Sequence, residues 1–375
     1  MTDVVRKMKE LNSRATPAGT PRPPSSGPLD AAGGRLGWVD YARGICMVAV
    51  VVFYAATDLH HELLRLGQPL PPANWLDHVV DFARPFRMPD FFLISGLFLA
   101  RVIDRPWRSY LDTKVVHYLY FFLVWTVIIF TIRAVAKPYP GIDALAAEFV
   151  KWLYQPFAML WFIQLLAVFF VFTKLTRRVP MWAMFAFAAA LHLSEYSAPI
   201  KQLQNFGERF VFFYAGYVFA PRFFQLVAWV QAHRVAALAG LALWAVFNAS
   251  MVLTGWSTLS PVSLTLGLVG ACAVISISGL FSLLPWMRWL RYLGQHSLAI
   301  YVGFYIPLNA VTHWAVTSGW PVHNGWGGLA IAVFSITAAL CLFWALRNTW
   351  LRWLYQRPGW ARLQRAGPKA VALAD

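Results

Sequence analysis

The chain has 375 residues, of which 59% are hydrophobic, 17% aromatic and only 13% charged. A soluble domain carries about 25% charged residues, so this balance excludes a soluble globular protein and points to a polytopic membrane protein. The net charge of +16 does not argue for nucleic acid, because the basic residues are scattered among apolar runs rather than gathered in a soluble basic domain.

Residues 1–36 are rich in Pro, Gly, Ser, Ala and basic residues, and read as a disordered cytoplasmic tail with no cleavable signal peptide. Ten apolar segments follow, near 42–59, 82–103, 116–135, 158–173, 180–194, 209–229, 234–253, 261–284, 293–314 and 327–347. They predict an all-α membrane bundle over residues 37–347. With the N-terminus inside, about three quarters of the 32 Lys and Arg fall on the inner side. That bias predicts ten spans with both termini cytoplasmic, in a bacterial-type inner membrane. Residues 348–375 form a basic tail with Trp350, Trp353 and Trp360, either an interfacial helix on an anionic leaflet or a frayed end. Cys46, Cys272 and Cys341 lie in apolar runs and read as small buried hydrophobes, so neither a disulfide framework nor a metal site is expected.

The first span carries polar residues at helical spacing. Eleven residues advance a helix by about 1100°, close to whole turns, which sets Arg43 and Tyr54 on one face roughly 16 Å apart. Asp58 lies one turn further, and His61 joins the same face if the helix continues. These four residues predict a polar stripe facing a cavity. The alternative is that Tyr54 is an aromatic-belt residue and His60, His61 and Glu62 are loop.

In the second span, Arg84, Arg87 and Asp90 lie at or just below one membrane face, where charge is costly and marks a site by default. Arg87 and Asp90 are spaced i, i+3 and are expected to pair. Snorkelling of the arginines to headgroups is the competing reading. Lys114 and His117 stand on the cytoplasmic side of the third span, where positive-inside charges are ordinary. Trp161 and Gln164 are expected near the outer face of the fourth, where a Trp is more often interfacial than catalytic.

Several stretches carry a resemblance. They are Asp40-x-x-Arg43-Gly-Ile45, Arg87-Met-Pro-Asp-Phe-Phe-Leu-Ile-Ser-Gly96, Leu160-Trp-Phe, Phe212-Phe-Tyr-Ala-Gly-Tyr217 and Gly294-Gln-His-Ser-Leu-Ala-Ile-Tyr301. In order and spacing this set resembles the membrane-bound acyltransferase 3 family over roughly residues 36–347. The resemblance implies transfer of an acyl group, taken as acetyl, from acyl-coenzyme A, with no bound cofactor. The acceptor would be a hydroxyl of a glycan or lipid-linked sugar, such as an exopolysaccharide. It puts Arg43, Lys114 and His117 towards the donor, and Arg84, Arg87, Asp90 and Trp161 towards the acceptor. Tyr54, Asp58 and His61 would be the catalytic candidates.

Two departures matter. The family carries a histidine eleven residues after its arginine, where this chain has Tyr54. It carries another at the end of the Gly294 motif, where this chain has Phe304. A histidine titrates near pH 6.5 and serves as a base unaided, whereas a tyrosine near 10 does so only with help from cations. A catalytically degenerate relative that binds or exports a glycan or small acid is therefore the second hypothesis. An ion-coupled transporter would call for inverted repeats, and none is visible. A channel would call for a polar pore stripe along several spans, which is also absent from the sequence.

Overall fold

A computed structural model describes residues 37–136, 139–194, 198, 200–322 and 324–363. The predicted tail at 1–36 and the chain beyond 363 lie outside them. The described elements belong to one unit running from Trp38, apart from Gly37 itself.

Among the described residues every regular element is helical. We number them α1 (Gly37–Arg65), α2 (Trp75–Gly96), α3 (Trp107–Ala136), α4 (Ile142–Tyr154), α5 (Leu160–Leu175), α6 (Met181–Leu193) and α7 (Lys201–Val218). There follow α8 (Ala220–Ala232), α9 (Arg234–Leu253), α10 (Ser260–Phe281), α11 (Arg288–Gln295), α12 (Ser297–Gly303), α13 (Tyr305–Thr317) and α14 (Trp326–Leu346).

Among the described residues six helices are long and apolar enough to cross a membrane: α1, α3, α5 with its preceding turn, α9, α10 and α14. A seventh is counted if α7 and α8, bent by 71° at Phe219, form one broken span. The other predicted segments are helical but irregular. At 13 residues α6 is about 20 Å long, short of a ~30 Å hydrocarbon core. The segment at 293–314 is split over α11, α12 and α13.

The arginine-bearing second segment is α2. Its start is fixed by a capping box: Asn74 Oδ1 accepts from the Leu76 amide at 2.9 Å, and Asp77 Oδ2 accepts from the Asn74 amide at 2.9 Å. Pro85 and Pro89 lie inside it, each removing a backbone donor. Nearby, the buried Asn248 side chain of α9 donates to the Phe82 carbonyl at 2.8 Å.

α2 packs chiefly on α7 and α10. A Cβ on Gly96 would run into the Phe213 carbonyl, and one on Gly216 into the Leu93 carbonyl. The glycines of the Ile-Ser-Gly and Ala-Gly-Tyr motifs thus permit a backbone-to-backbone crossing of α2 and α7. A second crossing joins α1 to α11, where a Cβ on Gly294 would strike the Asp40 carbonyl and one on Gly44 the Leu290 carbonyl. Asp40 accepts there from Gln295 Nε2 at 3.1 Å, and Arg291 Nε lies 3.8 Å from its carboxylate.

One expectation is corrected, and another falls partly outside the described residues. Only Cys46 is buried; Cys272 is half-buried and Cys341 exposed, because α14 turns that face outward. The described part of the C-terminal tail is not one interfacial helix but two short 3-10 turns, Trp350–Leu354 and Gly359–Ala361. They lie against α3, where Tyr120 and Trp125 donate to the carbonyls of Trp353 (2.9 Å) and Leu354 (3.1 Å).

Candidate functional site

α1 runs unbroken to Arg65, so His60, His61 and Glu62 are helical rather than loop. Tyr54 and Asp58 are half-buried, whereas His61 is exposed. Tyr54 and Asp58 thus lie within the bundle, and His61 is at its surface.

Tyr54 is surrounded by rings from three helices. Its centroid lies 5.5 Å from Phe304 and 6.5 Å from Tyr305, and its hydroxyl interacts with the Trp161 side chain. The two positions where a histidine was expected, 54 and 304, thus meet in space as an aromatic pair. Asp58 shares its electrostatic surroundings with His61, Glu62 and Arg133. Arg133, which the sequence did not single out, hydrogen-bonds Tyr305 and lies 4.2 Å over the Phe157 ring. One turn before Trp161, Ala158 holds φ 48°, a left-handed conformation uncommon outside glycine. That turn presents the Met159 carbonyl to the Tyr301 hydroxyl.

The expected Arg87–Asp90 pair does not form. Three residues advance a helix by about 300°, which leaves the side chains free to take rotamers towards different neighbours. Arg87 turns onto Phe53 of α1, with its guanidinium carbon 3.6 Å from the ring centroid. Asp90 turns the other way, into the electrostatic range of Cys46 and Cys272. Both residues are deeply buried, at 8% and 2% exposure. Among the described residues Arg87 Nε and Nη1 and Asp90 Oδ1 have no hydrogen-bond partner. Arg84 is exposed and pairs with Asp81 on its own helix.

Arg84 and Arg87 line a cavity of about 490 Å³ with residues of α6, α7 and the start of α10. Four of these, His192, Glu208, Arg209 and Ser263, were missed in the sequence. His192 sits in the shortest apolar segment, and nothing in the spacing ties it to Ser263, 71 positions away. His192 Nδ1 lies 2.6 Å from the Glu208 carbonyl, which can only accept, so Nδ1 carries the proton. In the neutral ring Nε2 is then an acceptor, 3.0 Å from Ser263 Oγ, whose hydroxyl also reaches the Ser260 carbonyl at 3.0 Å. Glu208 pairs with Arg209, whose guanidinium lies 5.0 Å over Trp161. Gln202 donates to the Trp161 carbonyl at 3.0 Å and to Gln164 Oε1 at 2.6 Å, which fixes the start of α5 against α7.

The other end of α1 carries a second polar group. Arg43 shares its electrostatic surroundings with Lys114 and Tyr118 of α3, and Lys114 Nζ lies 5.2 Å from the Phe170 ring. Lys114 sits in a π-helical turn, Asp112–Val116, of a kind found often at functional sites. His117 follows it, in electrostatic range of Lys114, Asp112, Arg357 and Arg362. Arg357 ion-pairs with the buried Asp112 at 3.0 Å, and the Leu363 amide donates to the same carboxylate at 2.7 Å. Around this pair the C-terminal segment forms a cup of about 620 Å³ whose walls include Trp350, Trp353, Trp360, Arg352, Arg357 and Arg362.

Comparison with known proteins places these features in a family. A family model described as an acyltransferase domain, of the acyltransferase 3 type, matches residues 36–348. Inner membrane protein YcfT of Escherichia coli (strain K12) is 33% identical over 82 residues, which is 21% of this chain and 23% of that protein. The chain thus aligns with less than a quarter of that relative's length. No solved structure matches.

Proposed function

Since the chain belongs to the acyltransferase 3 family of membrane proteins, we propose that it moves an acyl group, taken as acetyl, from acyl-coenzyme A to a sugar hydroxyl. The acceptor is a cell-envelope or exported glycan, or a lipid-linked sugar. The protein would have ten spans with both ends cytoplasmic, the Arg43 end of α1 facing the cytoplasm of an inner membrane. The observation that carries this reading is that one helix bears two polar sites, Arg43 with Lys114 at one end and Tyr54 with Arg87 towards the other.

In this reading the donor's phosphates lie against Lys114, His117 and the arginines of the C-terminal cup, whose indoles offer faces to an adenine. The acceptor hydroxyl lies in the cavity beside Arg87. Transfer breaks the thioester C–S bond and forms an ester C–O bond, and the hydroxyl proton ends on the coenzyme A thiolate. A base is needed to carry that proton. His61 is exposed, and a tyrosine with a pKa near 10 is better suited to donate to the developing oxyanion. We assign the oxyanion to Tyr54 and the proton to His192, whose Nε2 is already the accepting nitrogen.

The second reading is a degenerate relative that binds or exports a glycan or small acid. It is favoured by the Tyr54–Phe304 ring pair standing where two histidines were expected. Labelled acetyl-coenzyme A supplied to inverted membrane vesicles separates the two. Transfer to an envelope glycan that falls at least about tenfold in Tyr54→Phe and in His192→Asn supports the enzyme. Transfer that appears only in Tyr54→His identifies the degenerate form, and unchanged transfer in His192→Asn removes His192 from the reaction.

A further inference from the structure

Among the described residues Arg87 is a cation with no carboxylate to neutralise it. Arg84 is paired with Asp81 and Arg209 with Glu208, so two of the three arginines on the 490 Å³ cavity are balanced locally. Arg87 has no carboxylate partner, and Asp90, one turn on, faces Cys46 and Cys272 instead. A guanidinium left this way inside a protein is costly, by several kcal/mol per ion in general terms, unless an anion answers it. Its plane is already fixed against Phe53, so its in-plane N–H groups are preset for a flat anion.

We propose that the cavity beside Arg87 seats a carboxylate, and hence that the ligand is an acidic sugar such as a uronate rather than a neutral or phosphorylated one. The excess on the wall is one positive charge, which one carboxylate balances. A phosphate monoester brings about −1.5 to −2 and would be left partly unpaired. The rest of the wall suits a hydroxylated ring. His192 and Ser263 lie in hydrogen-bond contact on the wall, with Gln204, Ser257 and Thr258 beside them. The volume lies in the range of small-molecule pockets, 300–1,000 Å³.

This inference rests on taking the cavity as the acceptor site, so its test uses no donor. The full chain is purified into nanodiscs of zwitterionic lipid, and binding of glucuronate, glucose, glucose 6-phosphate and inorganic phosphate is measured by titration calorimetry. Glucuronate is expected to bind at least about tenfold tighter than the other three. Arg87→Met should remove that preference, and Arg87→Lys, which keeps the charge but not the planar fork, should keep only part of it. Thr258 is exposed on the cavity rim, so Thr258→Asp and Thr258→Lys test the field with Arg87 intact, even if the Arg87 variants do not fold. Thr258→Asp should weaken glucuronate at least about tenfold, while Thr258→Lys should leave it equal or tighter. Equal binding of glucose and glucuronate overturns the proposal, as does tighter binding of either phosphate compound or indifference to the charge at 258. Glucuronate binding without acyl transfer would sink the enzyme reading alone, and acetyl transfer with no preference for the acid would sink this inference alone.

Discussion

At the two ends of α1 the protein handles buried charge in opposite ways. Towards the Arg43 end Arg43 and Lys114 lie near one another, but the buried carboxylates there are held by partners. Asp112 is held by Arg357 and by the Leu363 amide, and Asp40 is held by Gln295 across the α1–α11 crossing. Near Tyr54 the pairs form at the edges, Arg84 with Asp81 and Arg209 with Glu208, while Arg87 in the middle is left unanswered. The first arrangement is a scaffold that holds a surface in shape. The second leaves a buried cation without a carboxylate partner among the described residues, which is what the proposed acidic ligand would answer. A buried cation is thus read by what its neighbours leave undone, not by its depth alone.

The largest effect should come from the crossing that holds the Arg43 end. Gly294→Val puts branched carbons into the Asp40 carbonyl, where neither backbone can retreat, and should cost upwards of about 3 kcal/mol. The expected result is a protein that aggregates on detergent extraction. A monodisperse peak at wild-type yield would show that α1 and α11 do not cross this closely.

Next, Asp112→Ala removes one partner of a buried ion pair, a change that costs about 3–5 kcal/mol where the remaining charge is trapped. Because Arg357 sits on a terminal segment, the strain is expected to be relieved by release of residues 350–363. Limited trypsin digestion should then cut after Arg352 and Arg362 faster than in the parent protein, and donor affinity should fall about tenfold or more. A tail as resistant as in the parent protein would mean that the cup is held by its indoles rather than by Asp112.

A smaller change separates paired charge at the surface from paired charge in the interior. Glu62 accepts from Arg65 and contacts His313 at 2.6 Å, joining α1 to α13, but Arg65 and His313 are mostly solvent-exposed. Glu62→Gln should cost no more than about 1 kcal/mol, visible as a small drop in melting temperature that fades in high salt. A loss as large as that of Asp112→Ala would erase the distinction drawn between the two kinds of pair.

The smallest effect is expected at Tyr355, whose buried hydroxyl has no hydrogen-bond partner among the described residues. Tyr355→Phe should be neutral near pH 7, or stabilising by up to about 1 kcal/mol. Burial pushes this phenol's pKa up, so its contribution is complete below about pH 10 and is lost as pH climbs above that. Tail release on an alkaline ramp should therefore shift to higher pH in the Phe variant. Identical ramps for the two proteins would show that Tyr355 does not govern release of the segment.

The sequence by itself determined the class of molecule and the order of its parts. Apolar runs and sparse charge are local properties of the chain, and they are enough for an all-α membrane protein. The glycines at 44, 96, 216 and 294 stand in the motif stretches, but only the fold brings 96 against 216 and 44 against 294 as close crossings. Length and hydropathy did not determine how many helices are fit to span, because kinks at Phe219 and around Phe304 depend on packing. Tertiary structure alone decided the site. Helical spacing set Arg87 and Asp90 on neighbouring faces, but rotamers chosen against α1 and α10 drove them apart. His192, Ser263 and Arg209 lie far apart in sequence and meet only because α6, α7 and α10 converge beside α2. Periodicity reports which side of a helix a residue occupies; which partner waits there is fixed only when the helices close upon each other.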